Sequence, residues 1–561
     1  MLFLFFLFAT QSIAADRVPA GQEIDDAVSV AVTRAGLSEL GGAAGVLLPS
    51  DPIALDPISQ SGGTWCVNYE FALKKAAVSV DIDSISIVPA TNTLQVDVDL
   101  LVAINDAGNP FELDYELLCV GEDCPGYVRP FLVEAAVPLG IQVATNSSGE
   151  KVFDAVLGTA SVTHYLKSSD IYLDCNIGSV ESVLDYLGLS LFDLIIGLAE
   201  DAIQDAVSDA MSELEAQIDD ALAQARLEQV IDVQGAEIEL LLEPESAEID
   251  NSGMQLVMSG LADAKNVNEC IAAFDKGGSL SVPSSRPGIG ALPSGVETAG
   301  LVADEFINQL LYAVWRSGVL CYQLDESSDL GLPINTSLLG IVGGEGFDAL
   351  FPEAKTLVVL TEPLQPPTAS FDGAHDVDLQ VEGLNVNFFA DLDYRMARAL
   401  GVTLEADVGA DLEFNGTTGD MDVVLDLGGD SIRVLASANE LVPESSEQVS
   451  EGMSSLIQTV LDTVLADALG GLSFQLGSVQ GVGLQSLQVE SLGAENDWML
   501  ASVDVGAVPY GAGGCADDGG GCNDADAGCG QGCATGRSGL WPLWLAVLPI
   551  GLMMRRRRMH I

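Results

Sequence analysis

The chain has 561 residues, of which 83 are acidic and 21 basic, so its formal net charge at pH 7 is −62. A surface of this charge repels phosphate along its whole length, which excludes a nucleic-acid binder. With 48% hydrophobic and 19% charged residues, the chain is not a disordered polyelectrolyte, and its length predicts two to four folded domains.

The first segment, residues 1–15, is predicted to be a secretory signal peptide. "MLFLFFLFATQSIAADR" is an apolar run that ends in small residues, and we expect cleavage near Ala14 or Ala15. A buried N-terminal strand is the alternative. An exported chain favours disulfides, with Cys119–Cys124 as the simplest pair, and the body offers an even number of cysteines for them. They are Cys66, Cys119, Cys124, Cys175, Cys270 and Cys321.

Two amphipathic helices with similar ends indicate an internal repeat. One is predicted at Gln22–Leu37 and the other at Thr298–Leu320, each with apolar residues at helical spacing. Both end in Arg, a small residue, Gly and an apolar residue. A glycine at this point, Gly36 or Gly318, predicts a helix C-cap.

Each of these helices is followed by strands, a longer helix and a final pair of strands. Alternation with a period of two predicts the strands, for example Leu94–Ile104 and Val377–Phe388. The longer helices are predicted at Ser190–Ala225 and Ser446–Leu469. The predicted fold class is α+β, with two units in which a strongly curved antiparallel sheet wraps around a long amphipathic helix.

These elements divide the chain into two modules and a tail. The modules are predicted at 16–265 and 296–509, and the linker between them, 266–295, is rich in Pro, Gly and Ser. Residues 510–539 are predicted to be a spacer, because they are rich in Gly, Asp and Cys and have too few large apolar residues for a core. Residues 540–561 contain a short apolar segment and four consecutive arginines.

The order of spacer, cysteine, apolar segment and arginine cluster resembles the myxobacterial C-terminal sorting tails of the MYXO-CTERM type. A cysteine just before the helix is the hallmark of that family, and Cys529 or Cys533 matches it. The resemblance implies a sorting protease or anchoring machinery as a partner, and a location at the cell surface or outer membrane. An ordinary single-span anchor with cytoplasmic arginines is the alternative.

The order of elements in the body resembles the lipid-binding serum glycoproteins, the family of the bactericidal/permeability-increasing protein. "TAGLVADEFINQLLYAVWRSGVL" is similar to the helix that opens the family's second module, and "GLNVNFFADLD" to a strand of it. "LSFQLGSVQGVGLQSLQVESLGAENDWMLASVDV" is similar to the family's closing segment, and the "AGL" helix end and Cys175 match the first module. The resemblance covers about Gly21–Val505 and implies two tandem tubular lipid-binding (TULIP) modules.

The resemblance also implies a lipid-binding or lipid-transfer protein that holds acyl chains in apolar grooves. The antibacterial member of the family meets lipopolysaccharide through a cationic tip, whereas this body has 16 basic residues and no cluster of them. A phospholipid or another neutral or zwitterionic lipid is therefore the expected partner. The candidate lining residues, with core packing as their alternative role, are Ile24, Val28 and Ala31 in the first module and Val302, Phe306, Leu310 and Val314 in the second.

Two other classes of protein remain open. An enzyme is disfavoured, because the chain has three histidines and no G-x-S-x-G, H-E-x-x-H or phosphate-loop motif. We therefore expect no catalytic residue, cofactor or metal, although some carboxylate pair suited to glycoside hydrolysis is always available among 83 acids. An acidic surface adhesin or structural protein would share the signal, the disulfides and the tail, but would lack the two long helices.

Overall fold

The structure is a computed structural model. It describes residues 17–44, 53–174, 225–327, 334–439, 473–475 and 482–507, together with single positions at 441, 452 and within 215–223. Short gaps interrupt these ranges at 55–57, 65–66, 118–119, 234–235, 276, 282–284, 417–419 and 427–430.

Most of the described residues lie in β-strands. In chain order the strands are β1 (Arg17–Pro19), β2 (Ile24–Thr33), β3 (Ile53–Ala54), β4 (Ile58–Thr64), β5 (Val67–Lys74), β6 (Ala77–Ala90), β7 (Thr93–Ile104), β8 (Phe111–Leu117), β9 (Val120–Thr145), β10 (Lys151–Leu157), β11 (Ser161–His164), β12 (Ile171–Leu173), β13 (Leu227–Val233), β14 (Ala236–Asp250), β15 (Gly253–Ala264), β16 (Gly278–Leu280), β17 (Thr298–Ala303), β18 (Gln323–Leu324), β19 (Leu357–Pro363), β20 (Thr368–Ser370), β21 (Val377–Asp391), β22 (Met396–Asn415), β23 (Asp420–Asp426), β24 (Ile432–Ala438), β25 (Ser473–Gln475), β26 (Val482–Leu492) and β27 (Trp498–Ala507). The helices are α1 (Arg34–Ala44), α2 (Asp304–Arg316), α3 (Ser337–Gly343) and α4 (Glu345–Leu350), with 3₁₀ turns at Ser168–Asp170 and Ile289–Ala291.

The chain divides into two compact units. The larger unit takes in residues 1–31, 225–246 and 256–561, and the smaller unit takes in 32–224 and 247–255. Each unit has a large antiparallel sheet of its own, formed by β3–β12 in the smaller unit and by β18–β25 in the larger one.

A further sheet, most of it in the larger unit, repeats the same strand order twice. In the described chain its order is β13-β14-β15-β2-β17-β27-β26. Outward from β2 the next strands are β15 and β14, and outward from β17 they are β27 and β26. In each half of the chain, an early strand therefore lies beside the last strand of that half, which lies beside the strand that precedes it in sequence. The sequence prediction that both halves end in a strand pair is confirmed by β14 with β15 and by β26 with β27. We call this sheet the central sheet.

The core of the smaller unit is built by alternation along its strands. In β7 every second side chain is buried, from Leu94 to Ile104, as the sequence predicts. These residues face β9 in register, with Val96 opposite Val137 and Leu100 opposite Val133. Because opposite residues of an antiparallel pair share a face, one side of this sheet is apolar.

Only the C-terminal end of the helix predicted at Ser190–Ala225 falls within the described residues. Ile218 and Leu222 are helical there and pack against the core of the smaller unit. Asp219 Oδ1 accepts a hydrogen bond from Ala155 N at 2.6 Å, which ties this end to β10. Of the helix predicted at Ser446–Leu469, only Gly452 falls within the described residues, and it is helical.

The large sheet of the larger unit is closed at one end by two short helices. Leu339 of α3 and Phe347 of α4 are fully buried in a cluster with the β21 and β22 residues Phe388, Leu400 and Val402. Farther along the same face, the apolar side chains of Leu379, Val381, Val408 and Leu412 are half-buried. Burial along this apolar face is therefore uneven, since Val377 and Ala410, a paired position farther along it, are buried again.

The first predicted helix, Gln22–Leu37, is wrong over most of its length. Residues Ile24–Thr33 form strand β2, helix α1 begins only at Arg34, and Gly36 lies inside that helix rather than at a C-cap. Six successive residues of β2, from Ala27 to Val32, are buried. A strand buried on both faces loses its alternation and cannot be told from a helix by periodicity.

The second predicted helix, Thr298–Leu320, is wrong in its first six residues, which form β17, and in its last four, which form a turn. Helix α2 then runs to Arg316, and Gly318 follows with a φ of +84°, so the predicted glycine cap is confirmed. Cys270 and Cys321 form a disulfide just beyond this end of α2, whereas Cys119 of the simplest predicted pair lies outside the described residues.

Candidate functional site

Helix α2 is the element around which the larger unit is assembled. Ten of its 13 residues are buried, which is possible because other elements cover nearly all of its surface. Asp304 and Glu305 in its first turn suit the positive end of the helix dipole, and Arg316 in its last turn suits the negative end.

Two buried amides join α2 to its neighbours. The Asn308 side chain donates to Ala369 O at 3.1 Å and accepts from Ala369 N at 2.8 Å, so it binds α2 to β20 like a strand partner. The Gln309 side chain donates to Gln22 O and accepts from Ala262 N, at 2.7 and 2.8 Å. Buried amides with both polar atoms paired hold a helix in one position, since any shift leaves them unsatisfied.

The C-terminal half of α2 is anchored by a polar network. Tyr312 Oη donates to Asp275 Oδ1 at 2.6 Å, and Arg316 bonds both Asp275 and Asp263. Burial would raise the pKa of Asp275, but the bonds from Tyr312, the Gly277 N–H and Arg316 outweigh it and lower the pKa. Asp275 therefore stays ionised and paired.

The structure places all seven predicted lipid-lining residues in the interior of the larger unit, each at 7% exposure or less. Four of them were chosen because of helical spacing but lie on strands, namely Ile24, Val28 and Ala31 on β2 and Val302 on β17. The other three, Phe306, Leu310 and Val314, lie on α2 as predicted.

Phe306 shows how closely α2 packs on the central sheet. A Cβ atom built on Gly260 of β15 would lie 2.6 Å from Cε2 of Phe306 and 2.8 Å from Cβ of Ala27. Phe306 therefore lies directly over Gly260 and beside Ala27, two positions where the sheet has almost no side chain. These small residues of β15 and β2 make room for the aromatic ring.

The first residue of α2 has unusual electrostatics. Asp304 is 6% exposed, and burial raises the pKa of its carboxyl to about 7, although the backbone N–H of Glu305 opposes the shift. The neighbouring carboxylates of Asp497, Glu305 and Asp372 raise this pKa further. Sequence reasoning missed this group, although an Asp-Glu pair is an ordinary signal for a helix start.

A polar pocket of about 380 Å³ lies on the acidic face of the large sheet of the larger unit. His375 Nδ1 lies 2.9 Å from Asp411 Oδ2, and this hydrogen bond raises the pKa of His375. The pocket is mainly polar, although Leu379 and Val408 are among its lining residues. Its lining residues are Ser370, Asp372, Gly373, His375, Asp378, Leu379, Gln380, Asp407, Val408, Gly409, Asp426 and Ser431.

The predicted tail, with Cys529 and Cys533, and the predicted signal peptide lie outside the described residues. Among the described helices, none combines the length and hydrophobicity that a membrane crossing requires. The described residues also contain no group of three or more His, Cys, Asp or Glu side chains placed to bind a metal ion.

Comparison with known proteins identifies the fold. No protein-family model and no curated protein sequence matches the chain. The crystal structure of lipopolysaccharide binding protein aligns with 86% of this chain and 100% of its own, at 13% identity and a TM-score of 0.53. P47 from Clostridium botulinum A2 (10% identity, 85% and 97% coverage, TM-score 0.25) and Takeout 1 from Epiphyas postvittana (14%, 31% and 78%, 0.18) align less well.

The likeness to lipopolysaccharide binding protein shows a shared fold, at an identity too low to show more. The chain is mostly strands with few helices, and it contains a curled half-barrel sheet. It therefore has a TULIP-like fold, and this confirms the resemblance to the lipid-binding serum glycoproteins at the level of the fold.

Proposed function

We propose that this protein binds lipid, holding acyl chains against the apolar faces of two tandem TULIP-like modules. The observation that carries the proposal is the fold shared with lipopolysaccharide binding protein over 86% of the chain, because that protein is named for binding a lipid. Acyl chains need a dry apolar surface of defined width, and a curled sheet with one apolar face provides it.

The repeated order of the central sheet supports two modules. Strand β2 precedes α1 and strand β17 precedes α2, and the last two strands of each half, β14 with β15 and β26 with β27, flank them symmetrically. A duplicated module that lends its first strand and its last two strands to one shared sheet would produce this order.

The half-buried apolar residues of β21 and β22 support a place for the acyl chain. Leu379 lies opposite Val408, on the same face as the buried cluster under α3 and α4. Each CH₂ group removed from water contributes ~0.8 kcal/mol, so a 16-carbon chain gains on the order of 10 kcal/mol before ordering costs are subtracted.

The acidic surface supports a neutral or zwitterionic lipid over an anionic one. With 16 basic and 83 acidic residues before Arg537, the protein repels anionic head groups at low ionic strength. We further propose that the protein acts outside the cytoplasm, exported by residues 1–15 and held at the cell surface or outer membrane through the tail that contains Cys529 and Cys533.

Native mass spectrometry of the full chain after gentle extraction tests lipid binding. We expect a mass excess equal to one or more lipid molecules, which fragmentation identifies and organic extraction removes. A folded protein that arrives at its bare mass would contradict lipid binding and favour the acidic adhesin instead.

The turn between β21 and β22 gives a second test, of contact with a lipid surface. Tyr394 is 99% exposed and Met396 45% exposed, and Ile341 of α3 and Leu350 of α4 are also exposed. The pair Tyr394→Ser with Met396→Ser should reduce partitioning onto phosphatidylcholine vesicles about tenfold, because two apolar groups that enter the lipid interface are lost.

The control for this pair is Leu435→Ser, which removes a 54% exposed leucine from strand β24 of the same unit. Co-sedimentation with vesicles measures the partitioning. Equal partitioning of the double variant and the control would show that this turn does not touch the lipid surface.

A further inference from the structure

Two aspartates meet where strand β17 passes into helix α2. Asp304 begins the helix, and its backbone N–H donates to Asp497 O at 3.1 Å. Ala303 lies opposite Trp498 in the register of β17 and β27, so Asp304 and Asp497 follow on as the next opposed positions. The backbone hydrogen bond therefore holds the first residue of α2 directly beside the start of β27.

Asp304 is buried and Asp497 is half-buried, and both carboxylates are incompletely paired. Oδ1 of Asp304 and Oδ1 of Asp497 are inaccessible to water and accept no hydrogen bond from the described residues. The other buried polar side chains of α2, Asn308 and Gln309, have both of their polar atoms paired. Asp304 is thus a buried acid of α2 with one carboxylate oxygen left unpaired, and burying a charge in that state is costly.

The charged groups that act most on Asp304 are all acidic. They are Asp497 before β27, Glu305 on α2 itself, and Asp372 after β20. The N-terminal end of the helix dipole and the Glu305 N–H favour the ionised form of Asp304, whereas burial and these three carboxylates oppose it. The pH therefore sets the balance between the protonated and the ionised form of Asp304.

We propose that Asp304 and Asp497 form a proton-controlled latch between the first turn of α2 and the start of β27. With Asp304 protonated, the latch is closed and the first turn of α2 stays docked. With both carboxylates ionised, they repel each other, and the first turn separates from β27 and admits water.

The opening is confined to the first turn, because the rest of α2 is fixed. Arg316 pairs with Asp263 and Asp275, and Tyr312 bonds Asp275, so the C-terminal end cannot follow. Asn308 lies at the boundary, where it donates both to Asp304 O within the helix and to Ala369 O of β20. Phe306, in the opened turn, would lose part of its packing on Gly260.

Amide hydrogen exchange of the full chain, measured by mass spectrometry between pH 5.5 and 8.5, tests the latch. Protection factors correct for the intrinsic pH dependence of exchange. In the wild type we expect those of residues 304–307 to fall at least about tenfold across this range, while those of residues 310–316 stay constant. The variant Asp304→Asn keeps the shape of the side chain and removes its charge. In this variant the protection factors of residues 304–307 should stay constant across the whole pH range.

Two further variants sharpen the test. Asp497→Asn removes one charge of the pair and should reduce the fall in protection, whereas Asp504→Asn, an exposed change on the same strand, should leave it as in the wild type. Equal pH dependence in the wild type and Asp304→Asn would overturn the latch, and an unchanged fall in Asp497→Asn would overturn the pairing. The experiment uses protein without added lipid, so its outcome is independent of lipid binding.

Discussion

Phe306→Ala is expected to lower the free energy of unfolding by about 3–5 kcal/mol, as is usual when a large side chain is removed from a packed core. The ring is fully buried, and it lies over Gly260 and beside Ala27 in the space between α2 and the central sheet. Residues with side chains as small as these cannot close the cavity that the ring would leave. Urea denaturation followed by circular dichroism measures the loss.

The contact itself can be tested by a second change. Gly260→Ala should destabilise the wild type, because its Cβ would lie 2.6 Å from Phe306 Cε2, and it should cost less in the Phe306→Ala background, where only the 2.8 Å contact with Cβ of Ala27 remains. Tyr394→Ala is the matched aromatic control and should change stability by less than about 0.5 kcal/mol, since Tyr394 is 99% exposed. Additive effects of the Phe306 and Gly260 changes would contradict the packing described.

The second large effect is a pH dependence of stability caused by Asp304. Its pKa is raised from 3.8 to about 7 in the folded protein. Since the folded state holds this proton more tightly than the unfolded chain, the contribution of Asp304 to stability is full below pH 4 and is lost as the pH rises to about 7. The full loss is about 4 kcal/mol by the pKa difference, and opening of the first turn to water limits it to about 2–4 kcal/mol.

Asp304→Asn removes this dependence. The variant and the wild type should be equally stable near pH 4.5 within about 1 kcal/mol, and the variant should be more stable by about 2–4 kcal/mol at pH 8. Other titrating groups, His375 among them, act on both proteins alike and cancel in the difference. A difference that does not grow between pH 4.5 and pH 8 would show that Asp304 is not protonated in the folded protein.

The strands with one buried face could be predicted from the sequence, whereas the strands buried on both faces could not. Residues 94–104 alternate because one face of β7 meets the core and the other faces outward. Strand β17 has six buried residues in succession, and "TAGLVA" therefore continues the apolar pattern of the helix that follows it. The acidic pair Asp304 and Glu305 marks the boundary between β17 and α2. A prediction that used this pair as a helix-start signal would have assigned the residues before it to a strand and those after it to a helix.

The candidate site was predictable as a set of apolar residues but not as an arrangement. All seven predicted residues are buried, but helical spacing was no guide to the four on strands, since their burial comes from the central sheet. The polar pocket around His375 brings together residues near 375, 407 and 426, which only the pairing of β21, β22 and β23 makes neighbours. Residue spacing within a single sequence contains no record of that pairing.

The order of strands in the central sheet sets a limit on how the chain can acquire its structure. Of the central sheet, strand β2 is made first, yet its neighbours are β15 and β17, and roughly 220 residues separate its end from the start of β15. At a ribosomal rate of about 5–20 residues per second, the hydrophobic strand β2 waits roughly 10–45 s for a partner. Formation of the central sheet is therefore late and dominated by distant contacts, and a chaperone that shields "AVSVAV" during that delay would raise the yield of native protein.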